Sequence, residues 1–305
     1  MARIPYPKTI KTFDQQIAIL KGRGLCFSDE ARAKQLLQNI SYYRMSGYWY
    51  PLLSDKQNHI FKSGATFEQA FSIYKFDAKL RTLILSEISK IEVAVRTQIA
   101  YTMSHIHGGI WLTDSSLFKN PAKHANTISK IDEEYSRSDE EFVTAFKAKY
   151  SDPFPPSWIT LEITSLGTLS LLYSNMKDGQ CKRDIAHYFG VADRVMVSWL
   201  HAITYIRNIC AHHSRLWNKI LGIRPLVPRR TANSFVNNSA TSNNKVYYIL
   251  CMIAYWLDII NPNNTFRDKI RNLFIDFPNI DVVAMGFPHN WKNEPLWRQT
   301  LQNLS

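Results

Sequence analysis

The chain has 305 residues, of which 45% are hydrophobic and 20% are charged. This composition is typical of a protein that buries a core, which excludes a chain disordered over its whole length. Lysine and arginine number 37 against 25 aspartate and glutamate residues, a formal net charge of +12. A surplus of this size attracts polyanions, so nucleic acid is the first partner to consider, although a basic surface can also serve solubility alone.

The four cysteines lie far apart, with no Cys-x-x-Cys pair. They therefore predict neither a disulfide framework nor a four-thiolate zinc site, and they fit a reducing cytoplasm. The most apolar run, Val246 to Ile260, is shorter than the roughly 20 residues that cross a bilayer. We expect a buried helix there and no association with a membrane.

Residues 1–62 are predicted to form an N-terminal helical and aromatic extension. Helices are expected at residues 15–23 and 29–39, and an aromatic stretch follows at residues 42–50. Tyrosines beside an arginine can stack on nucleobases, but large aromatics more often form a core. We favour a small core for this stretch.

The rest of the chain, residues 63–305, shows mainly helical periodicity. From Thr66 to Met103, apolar residues recur at three- and four-residue steps, which predicts the longest helix. Residues 104–156 are less regular, and a fresh helix is expected from Ser157 through Leu172. Few segments alternate with a period of two, so we predict an all-α fold.

Two features interrupt this predicted helical core. Gly167 marks either close packing or a break between two shorter helices. Residues 229–244 are rich in asparagine, serine and threonine, which predicts a loop inserted between helices. This loop is either a flap over a ligand or a tolerated surface insertion.

The densest group of chemically active side chains runs from Arg207 to Asn218 and contains two arginines, two histidines and two asparagines. Histidine exchanges protons near neutral pH, and the planar guanidinium of arginine matches a phosphate. On a helical wheel covering residues 195–220, His212 falls one turn after Asn208 on a polar stripe, whereas His213 turns toward the apolar side. The same stripe also holds His201, Arg215 and Lys219.

An imidazole and a guanidinium in this arrangement have the functional groups that RNA cleavage needs. His212 would act as a general base on a ribose 2′-hydroxyl or as a general acid on the leaving 5′-oxygen. Arg207, which flanks the stripe and reaches the same anion, would neutralise charge on the phosphate. Asn208 would donate to a phosphate oxygen or orient the imidazole. The scheme requires no metal or other cofactor.

One histidine does not easily make both proton transfers in a single pass. A two-fold homodimer would bring two copies of the stripe, and so two histidines and two arginines, into one cleft. We therefore expect a homodimer.

Two other interpretations of the stripe stay open. It can be the solvent face of an amphipathic helix, although such a face usually carries lysine and glutamate rather than histidine, asparagine and arginine. Cys210, His212 and His213 are potential metal ligands, but they point in different directions on a helix and lack a spaced second pair.

The run from Arg207 to Asn218 resembles the signature of the Abi-like family, the abortive-infection proteins that belong to the HEPN superfamily. Further blocks resemble the family in the same order, and they lie at residues 20–25, 42–49, 74–81, 91–96 and 167–170. The likeness extends over nearly the whole chain up to about residue 225.

This resemblance implies a HEPN-type helical bundle with Arg207 and His212 as the active pair and Asn208 as the polar residue after the arginine. Related HEPN proteins are typically metal-independent endoribonucleases that work as dimers. Members of the family act against phage by arresting the infected cell, and some relatives are associated with a small non-coding RNA. The remaining residues expected to contact RNA or to support the active pair are His213, Arg215, Asn218, Lys219, Glu92, Arg96 and Glu162.

Two functions from different classes follow. The first is a cytoplasmic, homodimeric endoribonuclease that arrests growth by cleaving RNA, leaving 2′,3′-cyclic phosphate and 5′-hydroxyl ends. The second is a non-catalytic RNA-binding protein that partners a small non-coding RNA.

Overall fold

A computed structural model of the chain describes residue 5, residues 9–237 and residues 241–298. Within these residues the regular structure is helical apart from one short β-hairpin, which confirms the predicted all-α class. The chain forms two compact units, the first from residues 1–80 with 276–280 and the second from residues 81–275 with 281–305. The boundary expected at residue 62 stays a prediction.

The first unit starts with three helices and a hairpin. They are α1 (Phe13–Gly22), α2 (Glu30–Ile40), α3 (Tyr42–Trp49), β1 (Leu53–Asp55) and β2 (Ile60–Phe61), with the two strands antiparallel. Thr12 and Gln15 begin α1 with reciprocal hydrogen bonds between side chain and backbone. Asp29 begins α2 by accepting from the Arg32 amide at 2.9 Å.

The aromatic stretch at residues 42–50 contributes to the core of this unit. Tyr48 and Trp49 are buried, and the Tyr48 hydroxyl donates to Oδ2 of the buried Asp77 at 2.8 Å. Tyr43, by contrast, is 90% exposed. The aromatic stretch therefore mainly packs in the core, as the large size of its side chains predicts.

The longest helix, α4 (Phe67–His107), confirms the predicted helix that starts near Thr66. Thr66 and Gln69 cap it by exchanging hydrogen bonds of 3.0 and 3.1 Å. Its continuous buried stripe in the second unit consists of Ile84, Ile88, Ile91, Val95 and Ile99.

The second unit contains the rest of α4 and the α-helices that follow it, apart from the last residue of α12. These are α5 (Pro121–Ser136), α6 (Glu141–Lys149), α7 (Ser157–Thr160), α8 (Leu166–Asn175), α9 (Gln180–Tyr188), α10 (Asp193–Ala211), α11 (Val246–Ile260), α12 (Phe266–Asp276) and α13 (Pro295–Arg298). No helix within the described ranges combines the length and the apolarity needed to cross a membrane.

Two stretches of this part of the chain contain helix boundaries that the sequence pattern did not resolve. Residues 104–156 are more regular than expected, because they include α5, whose first turn has Asn120 as its cap and Pro121 at its start. The helix expected from Ser157 through Leu172 is divided into two shorter helices, which is the alternative left open at Gly167: α7 ends at Thr160 and α8 begins at Leu166, one residue before that glycine. Ser165 begins the second of them by accepting from the Thr168 amide at 3.3 Å.

The core of the second unit is built around α10 and α11. Every residue of α11 from Val246 to Leu257 is buried, as expected for the most apolar run. α10 packs against α8, α9 and α11. The ring of Trp199 on α10 lies 5.8 Å from Tyr255 and 5.4 Å from Trp256, both on α11. This packing leaves only one edge of α10 at the surface.

Candidate active site

Helix α10 separates an apolar face from a polar edge, as the helical wheel predicts. Trp199, Ile203 and Ile206 are fully buried, whereas His201 and Asn208 are exposed. Since buried side chains fix the rotation of a helix about its axis, the direction of the polar edge is set by the core.

The wheel is wrong beyond Ala211, where α10 ends. Arg215, Asn218 and Lys219 follow the helix and do not continue its stripe. Leu216 and Trp217 are buried. Their apolar spacing is compatible with a longer helix, but they pack into the core from the loop that follows α10.

The chain leaves α10 through a left-handed turn at His213. His212 is the C-cap, with a φ of −87°, and His213 has a φ of +54°. The His213 amide donates to the Cys210 carbonyl at 3.1 Å, and the Ser214 amide donates to the Ile209 carbonyl at 3.0 Å. These two bonds form a Schellman motif, in which glycine is the usual left-handed residue.

After this turn, hydrogen bonds hold the following loop against α10. The Gly222 amide donates to the Tyr205 hydroxyl at 3.4 Å, and the Leu226 amide donates to Oγ of Ser198 at 2.9 Å. The Trp199 indole donates to the Leu226 carbonyl at 2.9 Å. The loop that carries Arg215 and Lys219 is thus anchored to α10 beyond their positions.

The three predicted catalytic residues lie together at the end of α10. Nη1 of Arg207 donates to Oδ1 of Asn208 at 3.3 Å, and the His212 amide donates to the Asn208 carbonyl at 2.9 Å. Asn208 and His212 are exposed and Arg207 is half-buried. The guanidinium of Arg207 engages the amide oxygen of Asn208, and Nδ2, which carries the N–H groups of this side chain, can donate to an anion.

An anion bound here must be held by side chains. The C-terminal end of a helix presents carbonyl groups and partial negative charge, not the amide donors of an N-terminus. Positive charge at this end of α10 comes from Arg207, and the following loop adds the half-buried Arg215 and Lys219. Oδ1 of Asn218 is buried without a hydrogen-bond partner in the described part of the chain.

His213 does not lie where the wheel placed it. Its side chain is exposed rather than turned toward the apolar side. Cys210, by contrast, is 2% exposed. A buried thiol and two exposed imidazoles do not converge on one ion, and the described residues include no group of three His, Cys, Asp or Glu that could hold a metal.

Glu92, Arg96 and Glu162 form a second cluster. Nη2 of Arg96 donates to Oε1 of Glu92 at 3.0 Å and to the Thr164 carbonyl at 3.0 Å, and Nη1 lies 3.5 Å from Oε2 of Glu162. The Arg96 side chain is only 12% exposed. It therefore ties α4 to the segment before α8 and is poorly placed to contact RNA.

No hydrogen bond or ion pair found among the described residues joins this second cluster to Arg207, Asn208 or His212. The surroundings of Glu162, where exposed aromatic side chains of α4 and α7 line a cleft, were not predicted from the sequence. The only local signal was the one-turn spacing of Trp158 and Glu162, which does not reveal that α4 supplies the opposite wall.

The chain is thus an all-α protein with a half-buried arginine beside an exposed asparagine and histidine at the end of a helix that packs in the core. The sequence profile of the Abi-like protein family matches residues 35–218. Since this match covers more than half of the chain, the protein belongs to the Abi-like protein family. The match ends at Asn218 and includes all three predicted catalytic residues, while Lys219 lies just outside it. No curated protein and no solved structure matches the chain significantly.

The turn at His213 yields a stability prediction. His213→Gly and His213→Ala both remove the imidazole, but only glycine adopts a positive φ without a steric cost. We expect the glycine variant to be more stable by about 1 kcal/mol in its free energy of unfolding, measured by urea denaturation.

The matched control is the neighbouring C-cap residue, which has an ordinary φ. His212→Gly is expected to be no more stable than His212→Ala, because glycine there only adds entropy to the unfolded chain. Equal stability of the two His213 variants would contradict the left-handed turn.

Proposed function

We propose that this protein is a metal-independent endoribonuclease of the HEPN type that arrests the growth of phage-infected cells. The observation that carries the proposal is the exposed edge formed by Arg207, Asn208 and His212 at the end of a helix whose other faces are buried. Membership of the Abi-like family, named for abortive infection, supports the role in defence.

The reaction is an attack within the RNA chain itself. His212 takes the proton of a ribose 2′-hydroxyl, the bond from O2′ to phosphorus forms, and the bond from phosphorus to O5′ breaks. Arg207 and Nδ2 of Asn208 neutralise the charge that accumulates on the phosphate oxygens. The products are a 2′,3′-cyclic phosphate and a 5′-hydroxyl.

The leaving O5′ also needs a proton, and a second imidazole would supply it. In a two-fold homodimer, His212 of one copy acts as the base while His212 of the other acts as the acid. The exposed position of His212 at a helix end is compatible with approach by another copy.

Charge favours a nucleic acid as the substrate. The net charge of +12 draws polyanions to the protein, and phosphate contacts make such binding sensitive to salt. RNA in the cytoplasm is the proposed target. A non-catalytic protein that holds a small non-coding RNA would share this charge, so cleavage must be measured directly.

Removing the imidazole of His212 is the first test. We expect His212→Ala to lower the rate of RNA cleavage by about a hundredfold or more, because a general base contributes on this scale. Arg207→Ala should have a comparable effect, and both variants should lose growth arrest on expression in bacteria. Cleavage is measured on labelled RNA with purified protein.

His187→Ala is the matched control, because His187 is an exposed histidine on another helix of the same unit. It should cleave RNA like the unaltered protein. Cleavage by a folded His212→Ala protein at the unaltered rate would contradict the proposal. Salt-sensitive RNA binding without cleavage by any form would favour the non-catalytic alternative.

A mixed dimer tests whether each cleavage event uses the His212 side chains of both copies. One unaltered copy and one His212→Ala copy, isolated with two different affinity tags, should retain far less than half of the unaltered activity if each cleavage event uses both imidazoles. Half of the activity would show that each copy works alone, and a monomer in sedimentation analysis would contradict the dimer.

A further inference from the structure

A cleft of about 440 Å³ lies between α4 and α7, apart from the residues proposed for catalysis. One wall belongs to α4, and the other is formed by Trp158 on α7 and by Glu162 just after it. The α4 residues that line it are Thr97, Ala100, Tyr101, Ser104 and His105.

The indole of Trp158 is held against a glycine. A Cβ atom at Gly109 would lie 2.9 Å from the Trp158 ring, which is closer than real Cβ contacts allow. The Ser157 amide donates to the Gly109 carbonyl at 2.7 Å, and the hydroxyls of Ser157 and Ser104 lie 2.7 Å apart. The backbone beside Trp158 is thus fixed to both Gly109 and α4.

The aromatic side chains of the cleft contact neighbouring groups but remain exposed. Trp158 is 52% and Tyr101 is 61% exposed. The rings of Tyr101 and His105 lie 4.0 Å apart, and Nδ1 of His105 lies 2.8 Å from the Tyr101 carbonyl. Large exposed rings that are already held in place can stack on a ligand at a low cost in side-chain entropy.

The charge in the cleft selects what can enter. Glu162 is half-exposed in the cleft, and its carboxylate is anchored by Arg96 at 3.5 Å. A carboxylate repels phosphate but accepts hydrogen bonds from amino groups. A flat, neutral ring system that carries an amino group satisfies both the aromatic walls and the acid.

We infer that this cleft binds an unpaired nucleobase of single-stranded RNA. The base stacks on Trp158, and its exocyclic amino group donates a hydrogen bond to the carboxylate of Glu162. The sugar and phosphate then remain outside the cleft. The inference rests on the proposed function, since it assigns a base-selecting subsite for the RNA that the catalytic edge would cleave. Cytosine has the required amino group at the position where uracil has a carbonyl.

The test uses six-nucleotide oligocytidylate and oligouridylate with 2′-O-methyl riboses, which cannot undergo the cleavage reaction. Binding to the full-length protein is measured by fluorescence anisotropy at a fixed salt concentration. We expect oligocytidylate to bind about tenfold more tightly than oligouridylate, and Glu162→Met to abolish this difference.

Substitutions at the stacking platform test it separately. Trp158→Ala should weaken the binding of both probes about tenfold, whereas Trp158→Tyr should retain most of the affinity. Gly109→Ala should weaken the binding of both probes by a smaller factor than Trp158→Ala, because the added methyl meets the outer edge of the indole and shifts the ring without removing it. Tyr188→Ala removes another exposed aromatic of the same unit and should leave binding unchanged.

Unaltered affinity in folded Trp158→Ala and Gly109→Ala proteins would overturn the inference. So would a change in oligomeric state without a change in RNA affinity, which would identify the cleft as a contact between copies. If the protein cleaves RNA but these substitutions leave its RNA affinity unchanged, the proposed catalysis is supported and the inference about the cleft is rejected. If substitution of Trp158 weakens RNA binding but the protein cleaves no RNA, the nucleobase-binding cleft is supported and the proposed catalysis is rejected.

Discussion

Burial of the apolar face of α10 is the constraint on which the candidate active site depends. Trp199, Ile203 and Ile206 are fully enclosed, and α10 packs against α8, α9 and α11. Fully burying one such side chain contributes about 1.5–3 kcal/mol, so rotating α10 away from this packing would be costly. The exposed direction of Asn208 is a consequence of the core, and the core thereby preorganises a surface site.

The way in which α10 ends is equally important for the site. If the helix continued, the wheel would carry Arg215 and Lys219 along its outer edge. Instead, the turn at His213 reverses the chain, and the bonds to Tyr205 and Ser198 hold the returning segment against the helix. His212 therefore stands at an edge where a long polymer can approach it without entering a closed pocket.

Sequence patterns predicted the elements whose burial is periodic. The α4 stripe, the apolar run of α11 and the polar edge of α10 up to Ala211 all follow from spacing alone, and the quoted family blocks pointed to the Abi-like family that the profile match shows. The end of α10 was not predicted, because Leu216 and Trp217 continue an apolar spacing from a loop.

Other features depend on contacts between distant parts of the chain. Arg96 pairs with Glu92 one turn away, which spacing can suggest, but its bond to the Thr164 carbonyl exists only in the folded chain. The cleft likewise joins Tyr101 to Trp158 across a long stretch of sequence. Periodicity reports which face of an element is buried, and it does not report which exposed faces meet.

The central claim is that the edge of Arg207, Asn208 and His212 cleaves RNA by proton transfer, and the chemistry of the product ends tests it most directly. Purified protein is incubated with RNA in excess EDTA, and the fragments are mapped by their susceptibility to kinase and phosphatase. The account predicts cleavage that persists in EDTA and leaves 2′,3′-cyclic phosphate and 5′-hydroxyl ends. Fragments with 5′-phosphate and 3′-hydroxyl ends, or cleavage that requires a divalent cation, would contradict it.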